Sequence, residues 1–580
     1  MTRISTGLPD LDLVLGGGLV PGSVIVVAGE PGTGKTILAQ QICFLNATGD
    51  LKSIYYTTIS EPHAKLVEHL GQFAFFTRAA LGTNVEYIHL GDLLRTDDPS
   101  QTGLGRLVSE IARKAQEDRP GFVVLDSIRM LRDLFTANEI RAALYDLGSR
   151  VAQSGAVLFL IGEDAAHEMQ SGPEFALADG ILQLVYEPRE PLDRRWLRVI
   201  KMRGVSHREG KHTFHITADG LKLFPRIETL LPTDMPVFSG RIDSGIPGLD
   251  ELMGSGIPAG DATLVMGPSG AGKTIFSLRY VGEGLVQDER CLYITFQDTA
   301  DQLVGMAAGF GWDFQEARAG GHLTIEHVPM GTLDLDVLVS VIRHHLGHGQ
   351  IQRVVIDSLA EMVFAAREGD RFPAYLRSLN GLIRSFGASL LVTSETTTLG
   401  PTEEPLSGLM FLFHNVIQIR YVEQHAAVGR VINILKMRNS PHSNGIYLYT
   451  ITPRGLAIGE RLEGVSGVLG WSVLSQPTGQ ARKSQSLRLT GRVRVQRRRE
   501  PPGFPERHPQ PGGCRRSLTT SVRQPQCWPT HSSNKAISGA QHPDHHAQFP
   551  GQQRISSRGA HQAGPTWRPG HEGKPLEVTF

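Results

Sequence analysis

The chain repeats itself. Residues 6–23 read TGLPDLDLVLGGGLVPGS and residues 244–261 read SGIPGLDELMGSGIPAGD, aligned without a gap at an offset of 238 positions. Further matches follow in the same order: GEPGTGKT with GPSGAGKT, FVVLDS with RVVIDS, and VIKMRG with ILKMRN. A duplication that keeps its order over roughly 235 residues demands two paralogous domains sharing one fold. It excludes a single large domain, as does the chain length of 580 residues at roughly 150 residues per domain. The boundary falls near Thr233 to Ser239, where PTDMPVFS carries turn residues and no helical pattern. The expected division is 1–235, 236–465 and a tail, 466–580.

Within each half, short apolar and β-branched runs alternate with longer mixed segments. The first half has SVIVVAG, SIYYTT, FVVLD and AVLFLIG; the second has ATLVMG, CLYITF, VVID and ASLLVT. Runs of this length, bounded by Gly, Pro or charge, suit strands buried on both faces. The helical patterns between them make βαβ units. The expected fold class is α/β, with a central, mainly parallel sheet in each half. Right-handed crossovers place the loops after the strands along one sheet edge.

The formal net charge is zero, but that zero averages unlike parts. From Gln476 to Phe580 there are 17 Lys or Arg and 5 Asp or Glu, so the tail carries +12 and the body −12. The tail also holds 13 of the 34 prolines and has no sustained apolar period. Such a segment cannot bury enough apolar surface to offset its ordering entropy, so a disordered basic tail is expected. Its run QARKSQSLRLTGRVRVQRRRE has three readings: an arm for nucleic acid or another polyanion, a solvated extension, or an out-of-frame product. The His545–His546 pair and the tail cysteines lack zinc-finger spacing. Four cysteines in all exclude a disulfide scaffold. No apolar run reaches the roughly 18 to 20 residues that span a bilayer. A cytoplasmic, non-membrane protein is expected.

The strongest local signal is a pair of phosphate loops. Gly29, Glu30, Pro31, Gly32, Thr33, Gly34, Lys35 and Thr36 fit GxxxxGK[ST]. So do Gly267, Pro268, Ser269, Gly270, Ala271, Gly272, Lys273 and Thr274. Each follows an apolar strand pattern and opens a helical one, the context that the motif requires. Backbone N–H groups of such a loop turn inward around phosphates, and the helix N-terminus adds a favourable dipole. Lys35 and Lys273 are expected at the β/γ-phosphates, with Thr36 and Thr274 presenting hydroxyls to Mg²⁺. Asp126 and Asp357 end apolar strands in VVLDS and VVIDS, where a carboxylate orients Mg²⁺ through its water shell. The cofactors implied are ATP and Mg²⁺.

With these motifs in place, residues 1 to about 465 resemble the KaiC family of RecA-type ATPases. The resemblance rests on the TGxPxLD-type opening, both phosphate loops, both strand-end Asp-Ser pairs, and the KMRG and KMRN segments. It implies two tandem RecA-like P-loop domains assembling as a ring, usually a two-tiered hexamer, with ATP between subunits. It also implies a glutamate after the second core strand that polarises the attacking water. In the first repeat TTISEP places Glu61 there, preceded by Ser60; in the second, ITFQDT gives Gln297 and Asp298. Asp298 is one methylene shorter than Glu, which sets its carboxylate about 1 to 1.5 Å back. A displacement of that size costs on the order of 10²-fold in rate. The expectation is therefore unequal tiers, with hydrolysis led by Glu61 and slower or absent at Asp298.

The resemblance further matches Lys201 and Arg203, with Lys436 and Arg438, to cations that reach the neighbouring subunit's γ-phosphate. His207 and His442, four residues past the arginines, are candidates for nucleotide contact. Clock members of the family carry an adjacent Ser-Thr autophosphorylation pair upstream of the segment that here reads HNVIQIRYVE. Counting from YVE, its positions hold Met410 and Phe411, without hydroxyls, and Ser407 is the nearest alternative. The expected function is slow ATP hydrolysis in a ring that serves as a signalling or timing switch read by a partner protein. A serine/threonine autokinase, a nucleotide-held scaffold with little turnover and a RadA-like DNA-repair ATPase are the alternatives. The last usually carries a four-cysteine zinc element, whereas Cys43, Cys291, Cys514 and Cys527 are far apart, and the acidic body suits no DNA coat.

Overall fold

The computed structural model describes residues 2–47, 51–57, 63–94, 103–163, 172–188, 193–231, 236–366, 369–396, 407–424, 427–438, 440–463, 465–466 and 474–475. The basic tail from residue 476 onward lies outside the described residues, and with it the expectation of disorder.

The first repeat builds one sheet from β1 (Val24–Ala28), β2 (Ser53–Thr57), β3 (Val85–His89), β4 (Phe122–Asp126), β5 (Val157–Gly162), β6 (Gly180–Glu187), β7 (Arg194–Met202), β8 (His212–Thr217) and β9 (Gly220–Phe224). Their spatial order is β3-β2-β4-β5-β1-β6-β7-β8-β9. Strands β3 to β6 in that order run parallel. Strands β7, β8 and β9 extend the sheet as an antiparallel meander.

Burial explains the two textures. All five residues of β1 are buried. Ile25 and Val27 pack with Leu38 and Ile42 of the helix Lys35–Leu45 in one core. Val24 and Val26 pack with Ile111 and Leu147, from helices Gly103–Asp118 and Ala137–Ser154, in a second core on the other face. A strand covered on both faces has no solvated positions, so it reads as the unbroken apolar run VIVVA. In β7, by contrast, Leu197 and Val199 are buried while Arg198 and Ile200 are exposed. That alternation belongs to a sheet with one wet face.

The second repeat begins with a short antiparallel pair, β10 (Arg241–Ile242) and β11 (Ile257–Pro258). Its sheet contains β12 (Ala262–Gly267), β13 (Arg290–Thr295), β14 (Leu323–His327), β15 (Ile351–Asp357), β16 (Ser389–Glu395), β17 (Asn415–Gln424), β18 (Ala427–Met437), β19 (Ile446–Thr452) and β20 (Gly455–Arg461). The order β14-β13-β15-β16-β12-β17-β18-β19-β20 reproduces that of the first sheet strand for strand. The chain is thus an α/β protein of two tandem domains, each around a mainly parallel sheet. Cys43 and Cys291 are free and buried in these cores, and burial pushes both thiols up to about 12.

Charged groups join the repeats. Thr213 Oγ1 on β8 donates to Asp336 Oδ2 of the second repeat at 3.0 Å, and Arg343 Nη2 donates to Asp10 Oδ1 at 2.6 Å. Arg371 of the second repeat grips Asp336 and also Glu228 of the first. Asp336 is only 1% exposed. A carboxylate that deep is tolerated because Arg371 and Thr213 satisfy both of its oxygens.

Candidate nucleotide sites

Each phosphate loop leaves the C-terminal end of a central strand, β1 or β12, and runs into a helix. In the first, Gly34 caps the helix Lys35–Leu45 with φ of +102°, and Gly272 caps Lys273–Val286 at +99°. Only glycine takes this left-handed conformation without strain. A Cβ on Gly34 would also come within 2.8 Å of Ile216 Cδ1. Glu30, Pro31 and Gly32 form the exposed crest of the first loop, with Thr33 buried beneath. Lys35 Nζ and Thr33 Oγ1 both donate to Glu30 O, at 2.9 and 2.8 Å. In the second loop Ser269 and Gly270 are exposed, Pro268 and Ala271 are buried, and Lys273 Nζ donates to Pro268 O at 3.0 Å.

The strand-end aspartates lie directly against these loops. Thr36 Oγ1 donates to Asp126 Oδ2 at 2.9 Å, and Tyr55 Oη reaches the same oxygen at 2.6 Å. The second repeat matches this with Thr274 at 3.0 Å and Tyr293 at 2.9 Å on Asp357 Oδ2, while Thr393 Oγ1 holds Asp357 Oδ1. Burial raises the pKa of Asp126, and the bonds from Tyr55 and Thr36 with the charge of Lys35 offset this only in part. A buried carboxylate whose charge is disfavoured suits a neighbouring divalent cation, and hydroxyl and carboxylate oxygens are the hard donors that Mg²⁺ takes.

Beside the second loop lies a cavity of about 260 Å³, lined by Lys273, Thr274, Gln297, Asp298, Asp357, Glu361 and Glu395 among others. Burial pushes Lys273 down, against the pull of Glu395, Asp357 and Glu361. Gln297 is exposed and Asp298 half-buried at its wall. Their first-repeat counterparts, Ser60 and Glu61, lie outside the described residues.

Three features escaped sequence reasoning. Tyr55 and Tyr293 look like ordinary strand aromatics, yet their hydroxyls brace the aspartates. Glu395 pairs with Gly267 across β12 and β16, and the register Ala28 with Gly162 puts Glu163 opposite Gly29 in the first repeat. An acid at the end of the fifth strand in both repeats was visible in principle, had the repeats been aligned there. Glu361, just past Asp357, has no acidic counterpart in the first repeat.

The cations lie elsewhere. Strand β6 runs parallel to β1 with Gly180 beside Ile25, and Met202 at the end of β7 pairs with Gly180. Lys201 therefore lies level with Val26, about 10 Å of strand short of the loop, and Arg203 level with the start of β1, about 15 Å away. Lys436 lies likewise level with Leu264 and Arg438 at the start of β12, since Val416 pairs with both Lys436 and Leu264, and Asn415 with both Met437 and Thr263. Arg203 Nη1 is 3.5 Å from Asp179 Oδ1, while burial and Arg203 push Lys201 down. Lys436 Nζ donates to Phe413 O at 2.6 Å, and Arg438 Nη2 to Phe411 O at 2.8 Å. Met410 and Phe411 lie in the 3₁₀ segment Ser407–Leu412, and their carbonyls are what these cations engage. His207 and His442 follow the cations and are half-buried. Arg208 N, beside His207, donates to Val14 O at 2.8 Å; His442 Nδ1 is 3.4 Å from Ser440 O.

A family profile described as "ATPase: KaiC" matches residues 4–228 and again 242–463. The chain belongs to the KaiC family. Each repeat is accordingly a RecA-like P-loop domain, and the molecule is an ATPase of the KaiC type. The circadian clock protein KaiC3 of Synechocystis sp. is 26% identical over 485 residues, covering 80% of this chain and 94% of that one. The circadian clock oscillator protein KaiC of Parathermosynechococcus lividus is 24% identical over 478 residues, covering 80% and 87%. The KaiC oscillator protein of Thermostichus vulcanus is 24% identical over the same length. KaiC-family ATPases use ATP with Mg²⁺, which the oxygen donors beside both loops fit. No helix among the described residues is long and apolar enough to cross a membrane.

Proposed function

We propose that this chain hydrolyses ATP slowly at the contacts between subunits of a hexameric ring, and that its nucleotide state is a signalling or timing switch read by a partner protein. The observation that carries this reading is the separation of each phosphate loop from the cations of its own repeat. Lys201, Arg203, Lys436 and Arg438 stand towards the far edge of the sheet, away from the loop of their own repeat, so the phosphate on which these four cations act is one held by a neighbouring subunit. A cation supplied in this way neutralises charge developing on the transferred phosphoryl group and couples nucleotide state to the contact.

In this reading Lys35 and Lys273 hold the β/γ-phosphates, and Thr36, Asp126, Thr274 and Asp357 hold Mg²⁺, which supplies charge neutralisation at the phosphates. Glu61 polarises the attacking water in the first site. His207 and His442 contact nucleotide from the subunit that supplies the cations.

Particle mass and steady-state phosphate release, with and without Mg·ATP, test the proposal. The expected result is a six-chain particle that needs nucleotide, with phosphate release lost in the Lys35→Ala, Lys273→Ala double variant. A particle that stays monomeric with Mg·ATP overturns the ring. Phosphate found on any second-repeat Ser or Thr after incubation with ATP establishes the autokinase alternative.

A further inference from the structure

The two nucleotide sites agree in the loop, the strand-end aspartate and the tyrosine behind it, and they differ four residues past the aspartate. The first repeat has Met130 there and the second has Glu361. Glu361 lies in the first turn of the helix Leu359–Ala365 and is 7% exposed. Its Oε1 accepts from the side-chain amide of Gln297, and its Oε2 from Ser358 Oγ at 2.5 Å. It borders the same cavity as Lys273, Thr274 and Asp357.

A structural role is the simpler explanation to weigh. Serine at the helix cap with glutamate three residues on is a capping-box pattern, which would satisfy two helix N–H groups. The side chains are not used that way: Ser358 makes no side-chain cap bond, and Glu361 turns to Ser358 Oγ and Gln297 instead. Both partners are neutral donors, so among the described residues a nearly buried carboxylate is held without an ion-pair partner in hydrogen-bond contact. The charge that faces it is that of Lys273, which borders the same cavity, so Glu361 is turned towards the place where the phosphates are held.

Gln297 directly precedes Asp298, the residue at the position where the acid after the second core strand is expected. An amide cannot accept a proton, but it can hold a water. Gln297 Nε2 is committed to Glu361, which leaves its carbonyl oxygen as an acceptor at the cavity wall; each oxygen of Glu361 keeps a further lone-pair direction. We propose that Glu361 is the proton acceptor of the second nucleotide site, acting on a water that Gln297 orients. The water oxygen bonds to the γ-phosphorus as the bond from that phosphorus to the β–γ bridging oxygen breaks. The electron pair leaves with ADP, and the water proton passes to Glu361 and on to solvent. The second site then has its own acid on a different element from that of the first, and Asp298 is not the base.

This inference rests on the ATPase reading, so its test isolates the second site. In a Lys35→Ala chain, phosphate release is measured across pH, and Mg·ATP binding is measured separately with a fluorescent analogue. Glu361→Gln is expected to lower the rate about 10²-fold and to remove the acid limb of the pH profile, with analogue binding retained. Asp298→Asn is expected to change the rate less than about threefold. Glu361→Asp should recover part of the rate together with the acid limb, which restoring a helix cap alone would not do. Full activity in Glu361→Gln, or a loss confined to Asp298→Asn, overturns the assignment. So does a Lys35→Ala chain that binds Mg·ATP and releases no phosphate; the first site, read in a Lys273→Ala chain, would then stand or fall separately.

Discussion

Arg371 of the second repeat donates to both carboxylate oxygens of Glu228 in the first, Nε at 2.7 Å and Nη2 at 3.0 Å. The same guanidinium also holds Asp336, so one residue bonds two carboxylates at the junction of the repeats. Burial alone would raise Glu228, but the hydrogen bonds and charge of Arg371 outweigh it and hold it at about 2. At Asp336, more deeply enclosed, burial wins over the same guanidinium and the pKa is raised.

Removing that guanidinium should be expensive. Arg371→Ala leaves the buried Asp336 without its cation and the half-buried Glu228 with Arg226 alone, a defect worth about 3–5 kcal/mol. Urea denaturation should show the loss at neutral pH, and adding Glu228→Gln and Asp336→Asn should recover much of it. An unchanged midpoint for Arg371→Ala would mean that the junction is solvated and the pairing incidental.

His212 gives the fold a mildly acidic limit. It is fully buried, accepts from Arg226 N at Nδ1 and donates from Nε2 to Arg208 O, so it is satisfied as the neutral ring. Burial lowers its pKa from 6.5 to about 4. Between these values the unfolded chain binds the proton and the folded chain does not. Stability attributable to His212 is therefore complete above pH 6.5 and is lost as pH falls to about 4, by roughly 3 kcal/mol. His212→Gln should flatten that part of the stability–pH curve while lowering stability at pH 7.

Asp357 is braced by Thr274, Tyr293 and Thr393, and its proposed part is to orient the water shell of Mg²⁺. Asp357→Asn should raise the Mg²⁺ concentration needed for second-site phosphate release about 10- to 100-fold, the usual cost of losing such a partner. Tyr293→Phe should shift it in the same direction and by less. Mg²⁺ titrations of the Lys35→Ala chain read both.

Supply of the cation by a neighbour predicts complementation. With the second site silenced by Lys273→Ala, chains carrying Lys35→Ala or Arg203→Ala should each be inactive alone. Reassembled together in equal amounts, about one quarter of contacts pair an intact loop with an intact cation. Phosphate release from the mixture should therefore exceed that of either parent. No gain on mixing would place Arg203 outside the reaction.

Much of this was legible in the residues because local chemistry forced it. A loop that turns its amides inward needs glycine at Gly34 and Gly272, and strands covered on both faces must read as VIVVA or ATLVMG. The antiparallel meander was less legible, because β7 is wet on one face and its Arg-rich sequence resembles a surface segment. The junction was not legible at all. Asp336 and Glu228 are 108 positions apart and meet only at Arg371, so each reads as an ordinary surface charge until the fold brings them together. Glu361 was hidden for another reason: in a helical pattern, an acid in the first turn is a common residue to find, and its partner Gln297 comes from the loop after β13.

The placement of loops and cations towards opposite edges of each sheet gives the molecule a polarity. One edge is a socket and the other a plug, and in a two-fold pair every contact brings like edges together. No such dimer can fit plug to socket at both of its edges. In the proposed ring, subunits joined plug to socket add in one rotational sense, and the last vacancy disappears only when the final subunit meets the first. Because both repeats have the same strand order, each carries its own socket and plug, and in the proposed ring a single chain brings two such contacts at once.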